Sequence, residues 1–267
     1  MPFPNVQLTR RPLHFIYLCD CSGSMRANGK MQALNQAIRQ SLPEMVQVSQ
    51  QNPEAQILVR VLGFADRAQW HVGTPTPVDQ MLPLWSDLQA GGLTAMGEAM
   101  RQLAAVLRTP PMEQRALPPV LVLISDGAPT DDFLAGLRAL MAEPWAAKAV
   151  RLAIAIGHDA DLEVLQQFIG PDTATGSGPD GDRLPDGRGP DGDRMPGSPA
   201  GRPGRRPLQA NDSNTLARYI QWASTAVVGA ASQPRSQPGG GPIETNVPLP
   251  DLPPTLLDPA DASQVVW

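Results

Sequence analysis

The chain has 267 residues, enough for one large domain or two small ones, and its 42% hydrophobic content is sufficient for a core. A formal net charge of −5, with no basic patch interleaved with aromatics, argues against a nucleic-acid partner. No apolar run approaches the roughly 20 residues of a membrane span, and Met1-Pro2-Phe3-Pro4-Asn5 lacks the regions of a signal peptide, so a cytoplasmic protein is expected.

Residues 1–12 read as an N-terminal segment. Residues 13–19 are almost continuously apolar, as suits a central buried strand, and end at Asp20. A helix is expected over 30–50, because Met31, Leu34, Ile38, Leu42, Met45 and Val48 recur at helical spacing. Pro43 should kink or break it. Residues 55–64 read as a second strand, 66–72 as its antiparallel hairpin partner at the sheet edge, and 73–83 as a Pro/Thr-rich crossing. Residues 91–97 form a glycine-rich loop carrying Thr94, followed by a helix over 95–107.

Residues 118–125 form a core strand ending at Asp126-Gly127. A helix follows over 131–142, capped by Thr130 or Asp131. Next come a strand over 150–157, a short helix over 161–169 and a closing helix over 215–230. Strands alternating with helices predict a doubly wound α/β fold: a mostly parallel central sheet with one antiparallel edge strand and helices on both faces.

Two segments stand apart from this domain, which is assigned to 13–231. Residues 170–207 are dominated by Gly, Pro, Asp and Arg, with a near repeat starting at Gly178 and again at Gly189. They lack the ligands of an EF-hand loop and the glycine period of collagen, so a disordered surface insertion is expected. Residues 232–267 read as a flexible Pro-rich tail ending in Val265-Val266-Trp267, either a segment for strand addition to a sheet edge or an inert terminus.

The chemistry concentrates at strand ends. Asp20, Ser22 and Ser24 place a carboxylate and two hydroxyls on one turn, at the carboxyl end of a strand, where open α/β sheets bind ligands. Oxygen-only donors favour Mg²⁺, Mn²⁺ or Ca²⁺ over zinc or copper. Both cysteines, Cys19 and Cys21, flank Asp20. They are too close in sequence for an ordinary disulfide and fit a reducing compartment.

Asp20-Cys21-Ser22-Gly23-Ser24, the Thr94 loop and Ser125-Asp126-Gly127, in this order, resemble the metal-ion-dependent adhesion site of von Willebrand factor A domains. The resemblance assigns Asp20, Ser22, Ser24, Thr94 and Asp126 to Mg²⁺, held directly or through water, with one position open for a partner's carboxylate. It also implies coupling of partner binding to movement of the last helix. Asp131 and Asp132 either shape the rim of this site or only cap the helix.

Residues 125–133, 153–161 and 219–224 further resemble the tellurite-resistance TerY-like group. That resemblance implies a non-enzymatic adaptor acting with a protein kinase and a metal-dependent protein phosphatase in bacterial stress or phage-defence signalling. Cys21 and the insertion depart from the group's pattern, and the zinc-ribbon extension of some relatives is absent. Adhesion-type domains also serve AAA+ ATPase and chelatase complexes, which leaves such a partner open. A phosphatase-type enzyme fits poorly. Ser22 stands where a haloacid-dehalogenase phosphatase needs a second acid, and His14, His71 and His158 are not placed as a general base.

Overall fold

The computed structural model describes residues 10–170, 206–232 and 249–253. Six strands form one sheet: β1 (Arg11–Asp20), β2 (Ala55–Phe64), β3 (Ala68–Pro77), β4 (Val120–Ser125), β5 (Val150–Ile156) and β6 (Leu208–Ala210). Their order is β3-β2-β1-β4-β5-β6, every pair parallel except β2 with β3. The helices are α1 (Lys30–Gln51), α2 (Val78–Leu84), α3 (Met96–Val106), α4 (Phe133–Met141), α5 (Pro144–Lys148), α6 (Leu162–Ile169), α7 (Ser213–Trp222) and α8 (Val228–Ser232). This is the doubly wound, mostly parallel α/β architecture of von Willebrand A-type, Rossmann-like domains.

The two-residue period of a strand divides the core. Leu13, Phe15, Tyr17 and Cys19 of β1 face one layer, with Leu34, Ile38 and Leu42 of α1 and Leu216 and Ile220 of α7. Ile16 and Leu18 face the other, with Met96, Met100 and Leu103 of α3, Phe133 of α4 and Phe168 of α6. Because β1 is covered on both sides, its apolar run is continuous rather than alternating.

Several elements differ from expectation. α1 runs unbroken through Pro43, whose ring is exposed. An interior proline costs about 3 kcal/mol. Burial of Ile38, Leu42 and Met45, each contributing about 1.5–3 kcal/mol, outweighs it. The supposed crossing at 73–83 continues β3 to Pro77 and then forms α2, which buries Val78 and Met81. An edge strand tolerates Pro75 and Pro77 because one side of its ladder has no partner to lose. The short α5 and β6 had no periodicity long enough to be read. α4 is capped by Asp132, which accepts from the Ala135 amide, rather than by Thr130 or Asp131. The closing helix is interrupted by a π-helical turn, Ala223–Val227.

Most of the expected insertion and tail, including the repeat and the terminal Val-Val-Trp, lies outside the described residues. Within 249–253, Leu252 is buried in the core layer of α1 and Leu249 packs against that layer. Among the described residues no helix is long and apolar enough to cross a membrane.

Candidate metal site

β1 and β4 are adjacent and parallel, with Cys19 opposite Ile124. Their carboxyl ends therefore bring Asp20 beside Ser125 and Asp126. Asp20 is fully buried; its Oδ1 accepts from the Ser22 amide at 2.8 Å and its Oδ2 from the Ser125 hydroxyl at 2.5 Å. Ser24 Oγ donates to Asp126 Oδ1 at 2.7 Å and lies 2.9 Å from Ser22 Oγ. A hydroxyl has one hydrogen to donate, so Ser22 is the donor to Ser24. The other Asp126 oxygen, Oδ2, accepts from Lys30 Nζ at 2.8 Å.

The Thr94 loop is bonded to both neighbouring loops. Gly91 N donates to Cys21 O at 2.7 Å and Gly23 N to Gly92 O at 3.0 Å. On the other side Thr94 N donates to Thr130 Oγ1 at 3.0 Å, and Thr130 N to Thr94 O at 2.9 Å. Gly92 turns the loop at φ +83°, and a Cβ there would lie 2.6 Å from the Asp66 carboxylate, which itself accepts from the Leu93 amide. Both the backbone angle and the close approach require glycine.

The structure thus joins Asp20, Ser22, Ser24 and Asp126 through hydrogen bonds at the carboxyl edge of the sheet, with Ser125 donating to Asp20. It buries Thr94 in the adjoining loop but gives its hydroxyl no hydrogen bond to that network among the described residues. Ser125 and Lys30 were not singled out from the sequence. A lysine in the first turn of a helix opposes the helix dipole, and that was the legible signal for Lys30.

Burial raises the Asp20 pKa; hydrogen bonds from Ser125 and Ser22 oppose this, and the Asp126 charge adds to it. Burial and the neighbouring Asp20 push the Cys21 thiol up to about 12, and burial raises Cys19 well above its ordinary value. Neither thiol is a ready nucleophile. Among the described residues no group of three His, Cys, Asp or Glu could hold a metal. The donors at this edge are instead two carboxylates and three hydroxyls, a set that fits a hard divalent cation. The histidines lie elsewhere. His14 precedes Asp20 by six residues of β1, roughly 20 Å, and bonds Glu113; His71 bonds Ser86, and His158 is exposed.

The fold is thus a doubly wound sheet with a cluster of oxygen donors at the carboxyl ends of β1 and β4. Residues 15–128, which include Asp20, Ser22, Ser24, Thr94 and Asp126, match the family model of the von Willebrand factor type A domain. The fold is similar to a von Willebrand factor type A protein from Catenulispora acidiphila, with a TM-score of 0.53 and 17% identity over 82% of this chain and 42% of that one. It is also similar to the pilus adhesin SpaC from Lactobacillus rhamnosus GG, at 0.52 and 13% over 82% and 31%. The chain therefore spans less than half the length of either. Proximal thread matrix protein 1 from the mussel byssus, solved with a zinc-occupied MIDAS motif, aligns at 0.48 and 14% over 60% of this chain and 42% of its own. No curated protein sequence matches the chain significantly.

Proposed function

We propose that this chain is a metal-dependent protein-interaction module. Asp20, Ser22, Ser24, Thr94 and Asp126 would hold Mg²⁺, with Mn²⁺ or Ca²⁺ as alternatives, directly or through water. The bound ion supplies an electrophilic position for an acidic side chain of a partner protein. The observation that carries this reading is the chain of hydrogen bonds from Ser22 through Ser24 to Asp126, beside the buried Asp20. It gathers hard oxygen donors from two strand ends into one cluster. The protein residues align the donors; Ser125 orients Asp20 from behind.

The TerY-like resemblance supports an adaptor, rather than an enzyme, that works in the cytoplasm with a protein kinase and a metal-dependent phosphatase. Calorimetric titration of Mg²⁺ and Mn²⁺ into the chain and its Asp20→Ala variant tests the site. Capture of a purified kinase or phosphatase of the TerY-associated type, with and without chelator, tests the adaptor. Binding of metal by the wild type alone, and partner capture only with metal, is the expected result. Partner capture that survives the chelator would refute the metal-dependent mechanism.

A further inference from the structure

We propose that Lys30 is a built-in counter-ion that keeps Asp126 from neutralising the bound cation, giving up metal affinity to preserve attraction for a partner's carboxylate. The proposal rests on the metal-site reading above.

The Lys30 ammonium lies 2.8 Å from Asp126 Oδ2, with side-chain exposures of 7% and 0%. Helix formation does not explain this placement. Lys30 is the first residue of α1, where the macrodipole disfavours a positive charge. A buried ammonium also loses hydration, and a close carboxylate is what offsets that loss.

The two carboxylates of the site are thus held differently. Asp20 takes its hydrogen bonds from neutral donors, the Ser22 amide and the Ser125 hydroxyl. Asp126 takes one from the Ser24 hydroxyl and one from a full positive charge. An incoming cation displaces no charge from Asp20, but must compete with Lys30 for Asp126.

The charge count gives the consequence. Asp20 and Asp126 contribute −2 and Lys30 contributes +1, so the site carries −1. A divalent ion brings it to +1, which favours an acidic ligand. Without Lys30 the same ion would be neutralised by the two carboxylates, bind more tightly and attract that ligand less.

The test is Mn²⁺ binding to the full chain, read by calorimetry and by electron paramagnetic resonance of the free ion. Asp20→Ala serves as the control for the site itself. Lys30→Met should bind Mn²⁺ about tenfold tighter or more, because a unit charge a few ångströms from a divalent ion is removed. Lys30→Arg, which keeps the charge, should stay near wild type. A merely structural role for Lys30 would shift the affinity the other way.

Lys30→Gln, which removes the charge but keeps a hydrogen-bond donor of its own, guards against misfolding of Lys30→Met. It should also bind Mn²⁺ about tenfold tighter than wild type. Unchanged or weaker binding by both Lys30→Met and Lys30→Gln would overturn the counter-ion role while Asp20→Ala still abolishes wild-type binding. If no variant and no wild-type protein binds Mn²⁺, the metal-site reading fails and the counter-ion fails with it.

Discussion

The Asp131 carboxylate, borne on the loop after β4, caps a helix that begins more than thirty residues earlier: Oδ1 accepts from Gly97 N at 2.7 Å and Oδ2 from Glu98 N at 2.8 Å. The first-turn amides of α3 are orphan donors, and a carboxylate beside them also suits the positive end of the helix. The bond ties the loop that follows Asp126 to the helix that follows Thr94.

Asp131→Ala should therefore do more than a surface substitution. Loss of a cap costs about 1 kcal/mol and at most about 2. It should also loosen Thr94 relative to Asp126. The expected outcome is a lower urea midpoint together with weaker Mn²⁺ binding. Asp132→Ala, which removes only the cap of α4, should lower stability by a similar amount and leave metal affinity unchanged.

α3 and α4 meet backbone to backbone. A Cβ on Gly136 would lie 2.2 Å from Gly97 O, and one on Gly97 would lie 2.4 Å from Asp132 O. Gly136→Ala must push the helices apart, at about 1–3 kcal/mol for overpacking, even though alanine is the better helix former. Gly229→Ala is the control, since its Cβ would find nothing nearer than Val48 Cγ1 at 3.9 Å. Equilibrium urea unfolding should show a lowered midpoint for the first and an unchanged or raised one for the second.

His14 makes stability depend on pH. Burial lowers its pKa below 6.5; the Glu113 carboxylate, 2.7 Å from Nε2, offsets this in part, and Arg60 adds to the lowering. The unfolded chain then binds the proton more readily than the folded one. Stability is complete above about pH 6.5 and falls as the pH drops from there through the folded-state value. His14→Leu should flatten the dependence of unfolding free energy on pH across this window. An equal slope in wild type and variant would refute the assignment.

The core-strand periodicity was legible because each strand buries its side chains in a pattern that neighbours along the chain reveal: the continuous apolar run of β1 and the helical spacing in α1 place both elements within a residue or two. The strand-end motifs were legible for the same reason, since Asp20, Ser22 and Ser24 lie on one turn. β6 and α5 were not, because three and five residues carry too little periodicity to stand out. Nor did Pro43 reveal that it sits on the solvent side of a helix held by its other face.

By itself, then, the sequence determined the order of the longer elements, the mostly parallel α/β class and the turn that carries Asp20, Ser22 and Ser24, all consequences of local spacing. The tertiary structure decided which distant groups meet. Ser125 reaches Asp20, Lys30 reaches Asp126 and Asp131 reaches α3 only because the crossovers set β1 beside β4 and pack α3 against α4. Such contacts depend on the closure of long loops and the register of neighbouring strands. No period along the chain records them.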